Sequence, residues 1–124
     1  MPDWPDAQEV IDVLRDIMER QDEPLQIVSM DDLNAGFMRA RNAHSYDPDA
    51  DVFFLAALMF DGIATRHPLL DGNKRLSLLA MLTFLDMNDA APDMRERDLY
   101  ELCTARVRKD ISTEEMASAL RASV

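Results

Sequence analysis

Cysteine is nearly absent from this sequence, since Cys103 is the only one among 124 residues. One cysteine excludes an internal disulfide and is typical of a reducing compartment, so we expect a cytoplasmic protein. Nothing close to Cys103 in the chain would activate its sulfur, and we therefore interpret it as a small core residue. Residues 1–6 are acidic and contain no apolar stretch, so no signal peptide is expected.

Basic residues are also scarce, because 13 lysines and arginines stand against 24 aspartates and glutamates and give a net charge of −11. Such a chain is a poor candidate for direct binding to nucleic acid or to an anionic membrane. The charge is explained most simply as a source of solubility, with an acidic docking face as the alternative. No apolar run approaches the roughly 20 residues that a membrane helix needs.

Internal repeats and low-complexity segments are missing as well, and six prolines and three glycines do not indicate disorder. The length suits one hydrophobic core, so we expect a single domain over residues 1–124. No segment shows the apolar–polar alternation of a strand. Helical periodicity instead predicts an all-α protein, a compact bundle of about six helices around a buried central helix.

Capping residues and apolar spacing predict where the first helices begin and end. Asp6 should cap a first helix that runs to about Arg20. Ser29 should cap a second helix, and the polar residues from 42 to 48 are interpreted as the loop that follows it. Between these two helices, residues 25–28 form a short apolar run. This run is either a connector under the core or an extended arm of a small flap.

The fourth predicted helix runs from about residue 73 to residue 87, and its residues 76–85 are apolar on every side. Such a helix belongs in the middle of a domain, so we expect it to be the centre of the bundle. Asn88 should end it in a left-handed conformation. The remaining helices should begin at Asp49 or Asp51, after Pro92 and after Ser112.

The loop before the fourth helix carries an unusual set of charges. It reads His67-Pro68-Leu69-Leu70-Asp71-Gly72-Asn73-Lys74-Arg75. A helix N-terminus has partial positive charge and unpaired N–H groups, so Lys74 and Arg75 conflict with it unless an anion binds there. Gly72 beside a helix N-terminus makes a site for phosphate, whose oxygens Arg75 can bind through two hydrogen bonds.

Two further side chains suit chemistry on a phosphate group. Asp71 is a candidate Mg²⁺ ligand, because Mg²⁺ at such sites usually takes one or two carboxylates together with phosphate oxygens and water. His67 is a candidate general base, since imidazole accepts a proton near neutral pH. Each residue alone has an ordinary explanation as a turn, cap or surface residue. Together they predict a nucleotide-phosphate site with a base beside it.

The motif resembles the signature of the Fic/Doc family, His-Pro-Phe-x-Asp-Gly-Asn-Lys-Arg, in its death-on-curing (Doc) toxin branch. The resemblance extends from about residue 50 to residue 122 and implies the compact Fic/Doc-like fold. It also implies a flap that holds a target segment over the motif loop. Leu69 stands where the signature has Phe, and Leu76 stands where Thr usually follows it. The N-terminal third lacks the other patterns of that branch.

The resemblance implies a role for each charged or polar residue of the motif. His67 would take the proton from a Ser or Thr hydroxyl of a target protein, and Asp71 would bind Mg²⁺ or position that hydroxyl. ATP and Mg²⁺ would be the cofactors. The residues that would bind phosphate and neutralise its charge are Gly72, Asn73, Lys74 and Arg75.

Position 74 is the one that bears on the type of reaction. Classical Fic enzymes have Gly there and transfer AMP, whereas Doc toxins have Lys, as in this chain, and transfer the terminal phosphate of ATP. The implied function is a toxin that phosphorylates elongation factor Tu, arrests translation and is neutralised by a cognate antitoxin. The chain has no Ser/Thr-x-x-x-Glu-Gly/Asn motif for inhibition by its own helix, which favours inhibition by a separate chain.

Two other functions remain open at this stage. The same site could transfer AMP with the nucleotide reversed, or the chain could be an inactive family member that serves as a binding module. The intact His67, Asp71, Asn73, Lys74 and Arg75 argue against the inactive alternative. A Walker-type phosphate loop is absent, which argues against an ordinary P-loop NTPase.

Overall fold

Six α-helices make up the computed structural model, which describes all 124 residues of the chain. The helices are α1 (Ala7–Glu19), α2 (Met30–Tyr46), α3 (Val52–Arg66), α4 (Asn73–Met87), α5 (Glu96–Val107) and α6 (Thr113–Ala122). The one extended pairing is an isolated bridge between Ile27 and Leu69. The predicted all-α class and the number of helices are confirmed.

Short polar side chains begin four of the helices, as the sequence predicted. Asp6, Ser29 and Asp51 each accept a hydrogen bond from a backbone N–H in the first turn of α1, α2 and α3. Ser112 and Glu115 form a reciprocal capping box at the start of α6. These bonds satisfy N–H groups that have no partner within the helix. The first turn of α4 has no such side-chain cap.

The two helices that flank the motif occupy the middle of the bundle. α3 packs against α2, α4 and α6, and α4 packs also against α1. Both contribute to a core of 26 buried hydrophobic residues. The central position that we expected for α4 is therefore shared with α3, whose residues 55–60 are all buried. None of the six helices combines the length and the apolar character that crossing a membrane requires.

The predicted loop from 42 to 48 is wrong in its first part, because α2 continues to Tyr46. His44 therefore lies on a helix, where its ring centroid is 6.0 Å from that of Trp4. No proline or glycine lies between Asn42 and Asp47, so the helix continues through a segment whose polar composition suggested a loop. The sequence pattern does not show that Trp4 packs on this turn.

The predicted end of α4 at Met87 is confirmed, but the left-handed residue lies one position later than expected. The left-handed residue is Asp89, with φ 56°, whereas Asn88 has φ −107°. The side chain of Asn88 holds the N-terminal segment, since its Oδ1 accepts from the N–H of Asp3 at 2.8 Å and its Nδ2 donates to the carbonyl of Asp3 at 2.9 Å. A long-range contact thus fixes the conformation that local preference alone would leave open.

Candidate active site

The motif loop connects the end of α3 to the start of α4 and has a left-handed residue at each end. His67 follows α3 with φ 49° and its side chain is exposed, whereas Pro68 and Leu69 are buried. Gly72 precedes α4 with φ 92°, and a Cβ there would lie 3.2 Å from the Sδ atom of Met18. The backbone conformation at position 72 favours glycine, and a Cβ there would also press on the side chain of Met18.

The extended segment of residues 25–28 pairs directly with the motif loop. The N–H of Val28 donates to the carbonyl of Pro68 at 2.9 Å, and the N–H of Leu70 donates to the carbonyl of Gln26 at 3.0 Å. Of the two interpretations that the sequence left open, the extended arm fits better than a connector under the core. In this pairing the N–H and C=O of Ile27 point away from the loop, and neither makes a backbone hydrogen bond.

Asn73 holds the motif loop in shape. Its Oδ1 accepts from the N–H of Leu69 and its Nδ2 donates to the carbonyl of Leu69, both at 2.9 Å. The side chain spans the turn and satisfies both polar groups of a buried residue. Both polar atoms of the Asn73 side chain are hydrogen-bonded to Leu69. Only the backbone N–H of Asn73 is therefore free to bind an anion.

The N-terminus of α4 is open to an anion. The first hydrogen bond within the helix is from the N–H of Leu76 to the carbonyl of Gly72, so the N–H groups of Asn73, Lys74 and Arg75 have no partner. The first turn contains no acidic residue. Asp71 does not cap the helix, because its Oδ1 accepts only from the adjacent N–H of Gly72. Three unpaired N–H groups and the helix dipole favour a phosphate at this point.

Arg75 lies across this helix end and is held by the connector between α1 and α2. Its Nη2 is 2.8 Å from Oε2 of Glu23 and its Nη1 is 3.2 Å from Oε1 of Gln21. Oδ2 of Asp71 is 4.0 Å from Nη2. The hydrogen bond to Glu23, helped by the charges of Glu23 and Asp71, holds the pKa of Arg75 above its ordinary value.

Lys74 turns to the other side and lies against α5. Its Nζ donates to Oγ1 of Thr104 at 2.5 Å and lies 4.0 Å from the centroid of the Tyr100 ring, within range of a cation–π interaction. Cys103 is fully buried beside it. Burial raises the pKa of the Cys103 thiol to about 11, and the nearby charge of Lys74 only partly opposes this. Cys103 is therefore a core residue, as the sequence predicted.

A groove with a volume of about 320 Å³ opens beside His67. It lies between the last turns of α3 and the chain that joins α5 to α6. Its lining residues are Phe60, Asp61, Ala64, Thr65, His67, Arg106, Val107 and Lys109. A larger groove of about 440 Å³ lies at Trp4 and Arg41, where no motif residue contributes to its walls.

The wall of the His67 groove is fixed by a half-buried ion pair. Arg106 donates through Nε to Oδ1 of Asp61 at 2.9 Å and through Nη1 to the carbonyl of Ile111 at 3.1 Å. Thr113 donates to Oδ2 of Asp61 at 2.6 Å. These bonds join α3, α5 and α6 at one point, so the wall has a defined position relative to His67.

The residues of the predicted site all lie at one end of the bundle, but they differ in how exposed their side chains are. His67 and Asp71 are exposed, while the side chains of Asn73, Lys74 and Arg75 contact protein groups. No three histidine, cysteine or carboxylate side chains converge to form a metal cage. The sequence did not reveal the partners of these side chains, which are Gln21, Glu23, Tyr100 and Thr104.

These features define a class of protein, a helical domain in which one loop joins an exposed histidine to an uncapped helix N-terminus flanked by lysine and arginine. The chain belongs to the Fic/DOC family, whose model matches residues 4–85. Proteins of this family are generally transferases that use ATP, commonly with a metal ion. No curated protein gives a significant match to the chain.

The family match differs in extent from the resemblance that the sequence suggested. It begins at residue 4 and therefore includes the N-terminal third, in which we had expected divergence. It ends at residue 85, within α4, so α5 and α6 lie outside it. The elements that contact Lys74 and form one wall of the His67 groove therefore belong to a part of the chain that the family match does not cover.

Proposed function

We propose that this protein is the toxin of a toxin–antitoxin pair and acts as a Mg-ATP-dependent kinase on a Ser or Thr hydroxyl of a translation factor of the elongation factor Tu class. The observation that carries the proposal is the uncapped N-terminus of α4 next to an exposed histidine. An anion-binding helix end and a base at adjacent positions suit transfer of a phosphoryl group to a hydroxyl.

His67 is proposed as the general base. Its side chain is exposed at the mouth of the groove, so a hydroxyl of another protein can approach it without rearrangement of the core. A Ser or Thr hydroxyl is a weak nucleophile, and a base that accepts its proton assists its attack on phosphorus. The proton would pass to a ring nitrogen of His67 as the hydroxyl oxygen bonds to the γ phosphorus. The bond between that phosphorus and the bridging oxygen would break, and ADP would leave.

The phosphates are proposed to lie on the N–H groups of Asn73, Lys74 and Arg75. Glu23, whose Oε2 is 2.8 Å from Nη2 of Arg75, would compete with a phosphate for this guanidinium. Lys74 contributes positive charge near the helix end while it remains against Thr104. Fixed positive groups of this kind stabilise charge that develops during phosphoryl transfer.

Asp71 is the residue that fits a Mg²⁺ ion. Its side chain is 76% exposed, and Oδ2 makes no hydrogen bond, so one carboxylate oxygen is available. A single carboxylate suffices where phosphate oxygens and water supply the other ligands. When bound, Mg²⁺ would neutralise phosphate charge. The donor set of this chain suits an ion that arrives with a nucleotide rather than one held by the protein alone.

The edge of the segment from 25 to 28 is proposed to hold the target protein. The N–H and C=O of Ile27 face away from the motif loop without a backbone partner. An extended target segment could pair with this edge as an added strand, which would align its hydroxyl with the loop below. A cognate antitoxin is the second proposed partner. Toxicity on expression of the chain alone, relieved by co-expression of an adjacent gene, would support it.

AMP transfer by the same site is the second candidate function. The family includes enzymes of both kinds, and the preference for kinase activity depends on Lys74, which stands where AMP-transferring members have Gly. Lys74 fills the space between α4 and α5 and brings a cation to it, as no glycine could. Which phosphate of ATP faces His67 decides between the two reactions.

The test is transfer of label to purified elongation factor Tu with Mg²⁺, in parallel reactions with ATP labelled on the γ and on the α phosphate. Label from the γ phosphate alone supports the kinase, and label from the α phosphate identifies an AMP transferase. His67→Ala should abolish transfer and growth arrest. His44→Ala is the matched control, because His44 lies on α2 beside Trp4, away from the motif. Growth arrest by His67→Ala would contradict the role of His67 as base.

If elongation factor Tu is not labelled, either the protein has a different target or it is inactive, and one further assay distinguishes these two explanations. The same two labelled nucleotides are added to whole-cell lysate. Label on another protein would identify a different target. No label on any protein would favour the inactive binding module over an enzyme.

A further inference from the structure

One wall of the groove beside His67 comes from residues outside the family match. His67 and Thr65 lie on one side, and Arg106 and Lys109 lie on the other. Arg106 is fixed by Asp61, so its charge is neutralised within the wall. The second side comes from the end of α5 and the turn after it, beyond the residues that the family match covers. The groove therefore joins the motif loop to a surface that the family match does not cover.

Backbone conformation singles out two residues of this groove. Four non-glycine residues have positive φ, and two of them, His67 (φ 49°) and Lys109 (φ 64°), line the groove. The other two are Asp22 and Asp89. A helix that ends in this conformation usually has glycine there, and aspartate tolerates it better than lysine does. Lys109 thus has a side chain at a position that glycine would adopt without strain, and this side chain lines the groove.

The charge distribution indicates which kind of partner this side chain suits. Seven of the 13 basic residues form ion pairs with carboxylates. The six that form none include Lys109 and its neighbour Arg108, together with Arg66, which precedes His67. Of these six, only Lys109 lines the groove. In a chain of net charge −11, a cation that has no carboxylate partner and lines a groove is a favourable contact for an anionic partner.

We infer that the groove between His67 and Lys109 binds an acidic segment of the target protein, next to the Ser or Thr that is modified. The inference deepens the proposed function and rests on it, because the groove ends at the proposed base. Lys109 would contact a carboxylate of the segment, and the fixed pair of Asp61 and Arg106 would form the wall beside it. The target would then be selected for negative charge near its acceptor hydroxyl.

Peptide binding in the absence of nucleotide tests this inference separately from catalysis. Three dye-labelled peptides each contain one Ser and differ only in the residues that flank it. The flanking residues are Asp and Glu in the acidic peptide, Asn and Gln in the neutral peptide, and Lys and Arg in the basic peptide. Fluorescence anisotropy at low salt should rank the acidic peptide first. Lys109→Asn should weaken its binding about threefold and Lys109→Glu about tenfold, since an exposed charge pair makes a modest contribution. Equal binding of the three peptides would overturn the inference.

Lys109→Gly provides a readout that a purely structural role would not give. The change should raise the melting temperature, because glycine adopts φ 64° without strain, and should weaken acidic-peptide binding about threefold. Asp89→Gly is the matched control, since Asp89 is left-handed at the far end of α4 and should change stability without changing binding. A Lys109→Gly protein that binds the acidic peptide as well as the unchanged chain would refute the use of this side chain.

Competition with ATP tests whether the groove binds a nucleotide instead of an acidic segment. If ATP displaces the acidic peptide and Lys109→Glu weakens ATP binding to the same degree, the groove is a nucleotide site and the inference is wrong. If the acidic peptide binds with the predicted charge dependence but no label is transferred from ATP in any assay, the proposed reaction fails and the binding surface stands.

Discussion

Removal of the carboxylate that holds Arg75 should weaken the fold and strengthen nucleotide binding at the same time. Glu23→Gln keeps the size of the side chain and removes its charge. Glu23 and Arg75 are 2.8 Å apart and their side chains are each 38% exposed, so solvent screening limits the pair to at most about 1 kcal/mol. For a chain of 124 residues this loss corresponds to a fall in Tm of about 4 °C.

Loss of the Glu23–Arg75 ion pair should also increase the affinity for ATP by a similar free energy. A phosphate that takes the guanidinium of Arg75 must compete with Glu23, and removal of the competitor returns up to about 1 kcal/mol, or roughly a fivefold lower Kd. Thermal unfolding and isothermal titration with ATP and Mg²⁺ measure the two effects. Glu101→Gln is the matched control, since it removes an exposed ion pair with Arg97 on α5 and should leave ATP affinity unchanged.

The opposite sign in the titration would refute this reasoning. A weaker affinity in Glu23→Gln would mean that Glu23 orients Arg75 for phosphate instead of competing with it. An unchanged affinity, together with the expected loss in Tm, would mean that Arg75 does not contact the nucleotide. Each result is distinct because stability and affinity are measured independently on one variant.

Three further predictions concern the loop and the core behind it. Gly72→Ala should cost about 1–2 kcal/mol in urea unfolding, because alanine is strained at φ 92° and its Cβ would lie 3.2 Å from Sδ of Met18; an unchanged midpoint would contradict the strain. Asn73→Ala should cost about 1–3 kcal/mol and increase amide exchange at Leu69, whose N–H and C=O both lose their partner. The pKa of Cys103 is raised from 9.0 to about 11, so the folded state favours the neutral thiol and stability should fall by about 2–3 kcal/mol as pH rises from 9 to 11. Cys103→Ala should remove most of that fall, and an equal fall in both proteins would exclude the thiol as its cause.

The parts of the fold that depend on near neighbours in sequence were predictable. Asp6, Ser29 and Ser112 cap their helices through bonds to N–H groups within three residues, so composition alone identifies them. The buried faces of α3 and α4 follow from apolar spacing in the same way. The loop prediction for residues 42–46 failed because a contact with Trp4, about forty residues away, supports the helix there.

The sequence predicts which residues form the candidate site, but it does not predict the contacts that their side chains make in the structure. Asn73 was expected to face phosphate, whereas its side chain binds Leu69. The contact of Lys74 with Thr104 spans 30 residues, and that of Arg75 with Glu23 spans 52. No spacing rule links residues so far apart, because their proximity depends on how whole helices pack. The Asp61–Arg106 pair that forms the groove wall was missed for the same reason.

The structure also changes the reason for expecting an anion at the start of α4. The sequence suggested one because two cations stood at the positive end of a helix. In the structure Glu23 already supplies a negative charge to Arg75, and Lys74 is occupied by Tyr100 and Thr104, so the cations alone no longer demand a ligand. The groups that still need a hydrogen-bond partner are backbone N–H groups. The N–H groups of residues 73–75 have no cap, although four of the other helices satisfy theirs with a nearby side chain. A phosphate would satisfy those groups. If it also draws Arg75 away from Glu23, the carboxylate that stabilises the unbound protein adds to the free-energy cost of binding the nucleotide.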